Sequence, residues 1–115
     1  MAQMIQRGKE LIRINPQKNS IEYSTNEGRT WHSRYTGSMA GSFVDLLDFR
    51  TEILACTSKG VYVSKNEGKT WSSRYSGRSC GDFFELTLNG SDILANTSKG
   101  LYVSKNEGRT WSRRY

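Results

Sequence analysis

SKNEGKTW, residues 64–71, is the stretch on which the reading of this chain turns. It returns as SKNEGRTW at 104–111 and as STNEGRTW at 24–31. Trp31, Trp71 and Trp111 are therefore spaced by 40 and 40 residues. A fixed period of that length marks a repeat architecture. The likeness extends beyond the octet. Residues 53–75, ILACTSKGVYVSKNEGKTWSSRY, align without a gap on 93–115, ILANTSKGLYVSKNEGRTWSRRY. Residues 11–35, LIRINPQKNSIEYSTNEGRTWHSRY, align if their first turn is two residues longer.

Each unit reads as short strands. In the second unit the apolar runs are FVDLLDF (43–49), EILACTS (52–58), VYVS (61–64) and TWSSRY (70–75). The turn signals RTE, SKG, KNEGK and SGRSCG surround them. β-Branched and aromatic residues dominate the runs, and no helical period appears. The third unit gives FFELTL, DILANTS, LYVS and TWSRRY; the first gives QMIQR, ELIRI, IEYS and TWHSRY. Four strands per unit of about 40 residues is the arithmetic of a propeller blade. The expectation is an all-β chain of three four-stranded blades, near residues 1–35, 42–75 and 82–115.

The octet SxNxGxTW resembles the Asp-box, or BNR repeat, S-x-D-x-G-x-T-W, of sialidase-like propellers. Here Asn26, Asn66 and Asn106 stand where that pattern has Asp. The side-chain acceptor is kept and the charge is lost, which leaves the turn intact and weakens any case for a metal. Each residue type has a backbone task. Asn66 can accept from N–H groups one or two residues ahead. Gly68 can take a positive φ. Ser64 and Thr70 can bond across the loop, and Trp71 can bury its indole between sheets. The matching sets are Ser24, Asn26, Gly28, Thr30, Trp31 and Ser104, Asn106, Gly108, Thr110, Trp111. The resemblance implies that the box serves the fold and lies away from any active site.

Three blades make an arc, whereas propellers close with about 4–8 blades. The end blades would expose sheet faces that an inner blade buries. The expected solution is a homodimer closing a six-bladed ring, the count that the sialidase resemblance implies. The alternatives are a trimer of nine blades, or a longer protein of which these three blades are one part.

The chain of 115 residues carries a formal charge of +6, from 17 basic and 11 acidic residues. This balance favours an anionic partner. No apolar run is long enough for a membrane span, and no secretory h-region is seen at MAQMIQRGKELIRIN. Cys56 and Cys80 occupy unmatched positions and form no ligand pattern. The expectation is a cytoplasmic protein with reduced thiols and neither metal nor cofactor.

By analogy with propellers, a ligand belongs on the face opposite the boxes. The loops there are PQKNS (16–20), TGSMAGS (36–42), SGRSCGD (76–82) and the SKG turns at 58–60 and 98–100. They supply Lys18, Lys59, Lys99, Arg78 and Met39, and their N–H groups could face an anion. Asp45 and Glu85 hold equivalent innermost positions, where they would line a wet central channel or, as paired carboxylates, serve glycoside hydrolysis. The arginine trio and Tyr/Glu pair of a sialidase are not recognisable. Arg34, Arg74 and Arg114, which recur in SRY or RRY, read as covers for aromatics. The expected function is non-catalytic binding of a small anionic or carbohydrate ligand, with a protein partner as the alternative. Nucleic acid, through interleaved basic and aromatic residues such as WSRRY (111–115), and a sialidase-like hydrolase follow.

Overall fold

A computed structural model describes residues 4–77 and 79–114. Among them twelve strands form three antiparallel sheets of four. The first blade is β1 (Met4–Arg7), β2 (Glu10–Asn15), β3 (Ser20–Ser24) and β4 (His32–Tyr35). The second is β5 (Phe43–Phe49), β6 (Glu52–Thr57), β7 (Gly60–Ser64) and β8 (Ser72–Tyr75). The third is β9 (Phe83–Asn89), β10 (Asp92–Thr97), β11 (Gly100–Ser104) and β12 (Ser112–Arg113). In each sheet the strands lie in chain order, as up-and-down meanders. Gln3 and Tyr115, expected in the first and last strands, lie outside the described residues. No described helix is long and apolar enough to cross a membrane.

The fourth strands are shorter than the sequence suggested. Thr70 and Trp71 precede β8, which starts at Ser72. The reason is local: the box ties Thr70 back into its own turn. Ser64 Oγ accepts from Gly68 N at 2.7 Å and donates to Asn66 Oδ1 at 3.0 Å. Asn66 Oδ1 accepts from Thr70 N at 3.0 Å, and Asn66 Nδ2 donates to Thr70 Oγ1 at 2.8 Å. The asparagine thus reaches four residues ahead, not one or two. The other boxes repeat the pattern, as in Thr30 N to Asn26 Oδ1 at 3.0 Å and Thr110 N to Asn106 Oδ1 at 2.9 Å. Gly68 has φ +90°, and the non-glycine Glu67 beside it also takes φ +63°.

Two apolar seams hold the blades together. In the first, Ile12, Ile14 and Ile21 meet Phe43, Leu46, Ile53 and Ala55. In the second, Phe49, Leu54, Cys56 and Val61 meet Phe83, Leu86, Ile93 and Ala95. The middle blade packs on both sides, and the consecutive residues Ile53, Leu54, Ala55 and Cys56 are each 0% exposed. A strand buried on both faces reads as a continuous apolar run. In the end blades burial alternates along the second strand. In β2, Ile12 and Ile14 are buried while Leu11 and Arg13 are half-buried.

Trp71 is half-buried rather than sunk between the sheets. Its ring meets Phe43 edge-on at 5.3 Å, and Trp111 meets Phe83 likewise at 5.5 Å. The indole lies at the outer rim of the seam because Trp71 Nε1 donates to Gly68 O, at 3.1 Å. Among the described residues no blade packs against Trp31 from that side. The Arg13 guanidinium covers it instead, 3.9 Å from the ring centroid.

Candidate functional site

The connections expected to carry a site do meet on one face. Ser58 N donates to Ser42 O at 2.9 Å, and Ser42 N donates to Ser58 Oγ at 2.9 Å. In the third blade Ser98 N donates to Asp82 O at 2.9 Å, and Asp82 N to Ser98 Oγ at 2.8 Å. Each loop entering a blade is thereby sewn to that blade's second turn. Glycine is required at this junction. A Cβ on Gly41, whose φ is +86°, would come within 3.0 Å of Lys59 Cγ.

The sewing consumes backbone groups that were candidates for an anion. Lys59 N donates to Thr57 Oγ1 at 3.0 Å, and Lys99 N to Thr97 Oγ1 at 3.1 Å. Lys18 N donates to Asn15 Oδ1 at 3.3 Å. The charge of Lys18, Lys59 and Lys99 remains at the surface, on exposed side chains. Met39 is 82% exposed at the loop tip. Its carbonyl accepts from Lys59 Nζ at 3.3 Å and from Tyr62 Oη at 3.4 Å. Arg78 lies outside the described residues. A shallow depression nearby is lined by Lys59, Gly77, Gly81, Asp82 and Phe83, with Thr57, Ser58 and Gly60 completing its wall.

Asp45 corrects the reading of a wet channel. It is 0% exposed and accepts from Leu86 N, across the second seam, at 3.0 Å. It fastens the inner strands of two blades and does not reach solvent. A register shift between Phe43 and Asp45 accompanies this placement. Glu85, its counterpart one blade on, is half-buried and accepts from Asn96 Nδ2 at 2.7 Å. The two carboxylates occupy different environments and form no matched pair.

The opposite face holds a device that the sequence reading missed. Arg34 donates to both Glu10 carboxylate oxygens, at 2.8 and 2.9 Å. It also donates to Glu67 O, in the next blade's box, at 3.0 Å. Arg74 repeats this with Glu52, at 2.8 and 3.1 Å, and with Glu107 O at 3.0 Å. These bidentate pairs hold the Glu10 and Glu52 carboxyls below the usual glutamate range. Arg34 also lies over Tyr23, 3.8 Å from its ring centroid, so the expected cover of an aromatic is present in the first blade. Arg7 adds a second link at the first seam, to Glu67 at 2.9 Å and Asp48 at 2.6 Å. The signal was in the repeat. An acidic residue opens each second strand, at Glu10, Glu52 and Asp92, and an SRY or RRY arginine ends each unit.

Asn19 was missed as well. Its Nδ2 donates to Gly41 O and its Oδ1 accepts from Phe43 N, both at 2.9 Å. The first blade's turn is thus tied to the loop that carries Met39. Cys56 and Cys80 are free and buried, and burial pushes the Cys56 thiol up to about 12.

The BNR/Asp-box repeat pattern matches residues 22–33 and 62–73, the first two boxes of the chain. No characterised protein matches the chain as a whole by sequence. Among solved structures, one described as YCF48 bound to D1 peptide superposes with a TM-score of 0.69 at 18% identity. The match covers 95% of this chain and 37% of that one. YCF48 from Cyanidioschyzon merolae superposes with a TM-score of 0.66 at 18% identity, over 92% of this chain and 40% of that one. The chain therefore spans well under half the length of these structures. The likeness and the boxes together establish an Asp-box β-propeller fold, represented here by three blades.

Proposed function

We propose that this chain is a non-catalytic binding protein that holds an acidic protein segment against its loop face. Exposed Met39, on a loop tip whose carbonyl is tied down by Lys59 and Tyr62, carries this reading. A flexible thioether takes up irregular apolar surface, and neighbouring lysines attract carboxylates. Because the sewn loops are fixed in advance, little ordering cost falls on binding. The similar YCF48 structure, described as bound to a D1 peptide, lends support. A small anionic or carbohydrate ligand is the second reading, favoured by the depression between Lys59 and Asp82. The absence of catalysis belongs to the proposal: fully buried Asp45 is committed to Leu86 N and unavailable as an acid or base.

The binding unit in this reading is a six-bladed ring of two chains, located in the cytoplasm. Two free, buried thiols suit a reducing compartment. The test is fluorescence anisotropy with a labelled peptide of alternating Glu and Leu, run beside sialic acid and a single-stranded oligonucleotide. The expected result is saturable peptide binding that weakens about tenfold in Lys59→Glu/Lys99→Glu and less in Met39→Ala. Preference for sialic acid would favour the second reading. Binding of the oligonucleotide alone, with steep salt dependence, would replace both.

A further inference from the structure

The box is part of each seam as well as a turn. A Cβ on Gly68 would meet Ile21 and Arg34 of the blade before it. A Cβ on Gly108 would meet Leu54, Val61 and Arg74 of the blade before it. Together with the Arg34 and Arg74 bonds to the Glu67 and Glu107 carbonyls, this defines a joint. The first blade offers Ile21 and Arg34, and the second offers Leu54, Val61 and Arg74. The next blade receives them on its box.

Both halves of this joint recur on the outer faces of the first and third blades, where no described residue supplies a mate. Leu94, Leu101 and Arg114 stand in the third blade where Leu54, Val61 and Arg74 stand in the second. Leu54 and Val61 are 0% exposed, whereas Leu94 and Leu101 are half-buried and Arg114 is exposed. Phe84, the counterpart of Val44 at the second seam, is 50% exposed. At the other end the first box presents Glu27, at φ +66°, and Gly28. A Cβ on Gly28 would meet Leu11 and Trp31 of its own blade and nothing from a preceding one.

Resting on the two-chain ring proposed above, we propose that the far face of the third blade docks on the first box of a second copy. Arg114 donates to the partner's Glu27 carbonyl, and Leu94 and Leu101 cover the partner's Gly28. A second copy is the occupant because it carries the receiving half, and because the joint continues two interfaces already built in this chain. The ends are also altered in a matching way. Arg13 and Glu22 replace the counterparts of Ala55 and Tyr62 on the first blade's outer side, and Asn96 replaces the counterpart of Cys56 on the third's. Arg13 and Glu22 already pair at 2.8 Å. A more polar joint keeps the single chain soluble before it closes.

The test is light scattering and analytical ultracentrifugation of the full chain and two variants. Leu101→Glu/Arg114→Glu breaks the donating end, and Leu11→Glu breaks the receiving end. The expected result is a wild-type dimer, with each variant folded by circular dichroism and its dissociation constant raised about thirtyfold or more. Mixing the variants should restore a dimer through the one intact joint. A joint between like ends predicts instead that one variant alone keeps full affinity. A wild-type monomer sinks the ring itself. A wild-type dimer unmoved by either variant sinks only this joint.

Discussion

Trp31 and Trp71 sit in the same octet, with the same bond from the indole to the box glycine, and have different neighbours. Trp31 Nε1 donates to Gly28 O at 3.0 Å, and Trp71 Nε1 to Gly68 O at 3.1 Å. Trp71 then meets Phe43 and the aliphatic residues of the first seam. Trp31 meets Arg13. The turn is thus a local property of eight residues. The packing belongs to the seam and exists only where a preceding blade supplies the other half.

The strongest way to break the contrast is to remove what Trp71 leans on. Phe43 is 6% exposed and also meets Tyr35 edge-on, at 5.9 Å. Phe43→Ala should cost about 3–4 kcal/mol by chemical denaturation, since a large void opens at a seam that cannot close around it. A loss below about 1 kcal/mol would mean that the first seam carries little of the stability.

The tryptophans themselves come next. Trp71→Ala should cost about 2 kcal/mol, below the range for a fully buried ring because the indole is half-buried. Trp31→Ala in the single chain should cost about 1 kcal/mol, because its half-buried indole packs on Arg13 and not on a neighbouring blade. Equal losses would show that the octet carries its tryptophan's energy within itself, and the comparison would collapse.

How much of this was legible follows from the same division. The octet, its period and the strand runs are short-range features, so the blade count could be read from spacing. The double burial of Ile53–Cys56 was visible as an unbroken apolar run. What eluded reading lies across seams. Asp45 looks like any polar residue in an alternating strand until a register shift at Phe43 and a neighbouring blade place Leu86 N against it. Arg34 and Arg74 looked like covers for aromatics because their carbonyl partners are 33 residues away. Among the binding-face residues, the lysines were legible as charge. The loss of their N–H groups to Thr57 and Thr97 was not, because it depends on turn geometry.

A third comparison uses acid. Glu10 and Glu52 lie in the arginine clamps of the first and second seams, and Glu67 is held low by Arg7 at the first seam alone. Their folded pKa values are depressed, so their stabilisation is present above the unfolded glutamate value of about 4.3 and is lost as pH falls through the folded values. The melting temperature should therefore hold steady from pH 7 to about pH 5 and drop below about pH 4.5. Arg7→Gln should make that drop shallower by removing the close Arg7–Glu67 pair of the first seam. An unchanged acid slope would mean that the Arg7 link contributes nothing to it.

The smallest expected effect separates turn from seam most cleanly. Among the described residues the Asn66 side chain bonds within its octet, to Ser64 Oγ, Thr70 N and Thr70 Oγ1. In Asn66→Asp the carboxylate keeps the first two bonds. Thr70 Oγ1 can reverse its role and donate, because a hydroxyl serves either way. The change should stay within about 0.5 kcal/mol. Asn26→Asp, at the open end, should behave the same, because the bonding around Asn26 is the same. Matching denaturation curves would confirm that asparagine acts for the turn alone. A larger loss at Asn66 than at Asn26 would mean that the seam senses the box charge, through Arg34 lying on the Glu67 carbonyl one residue away.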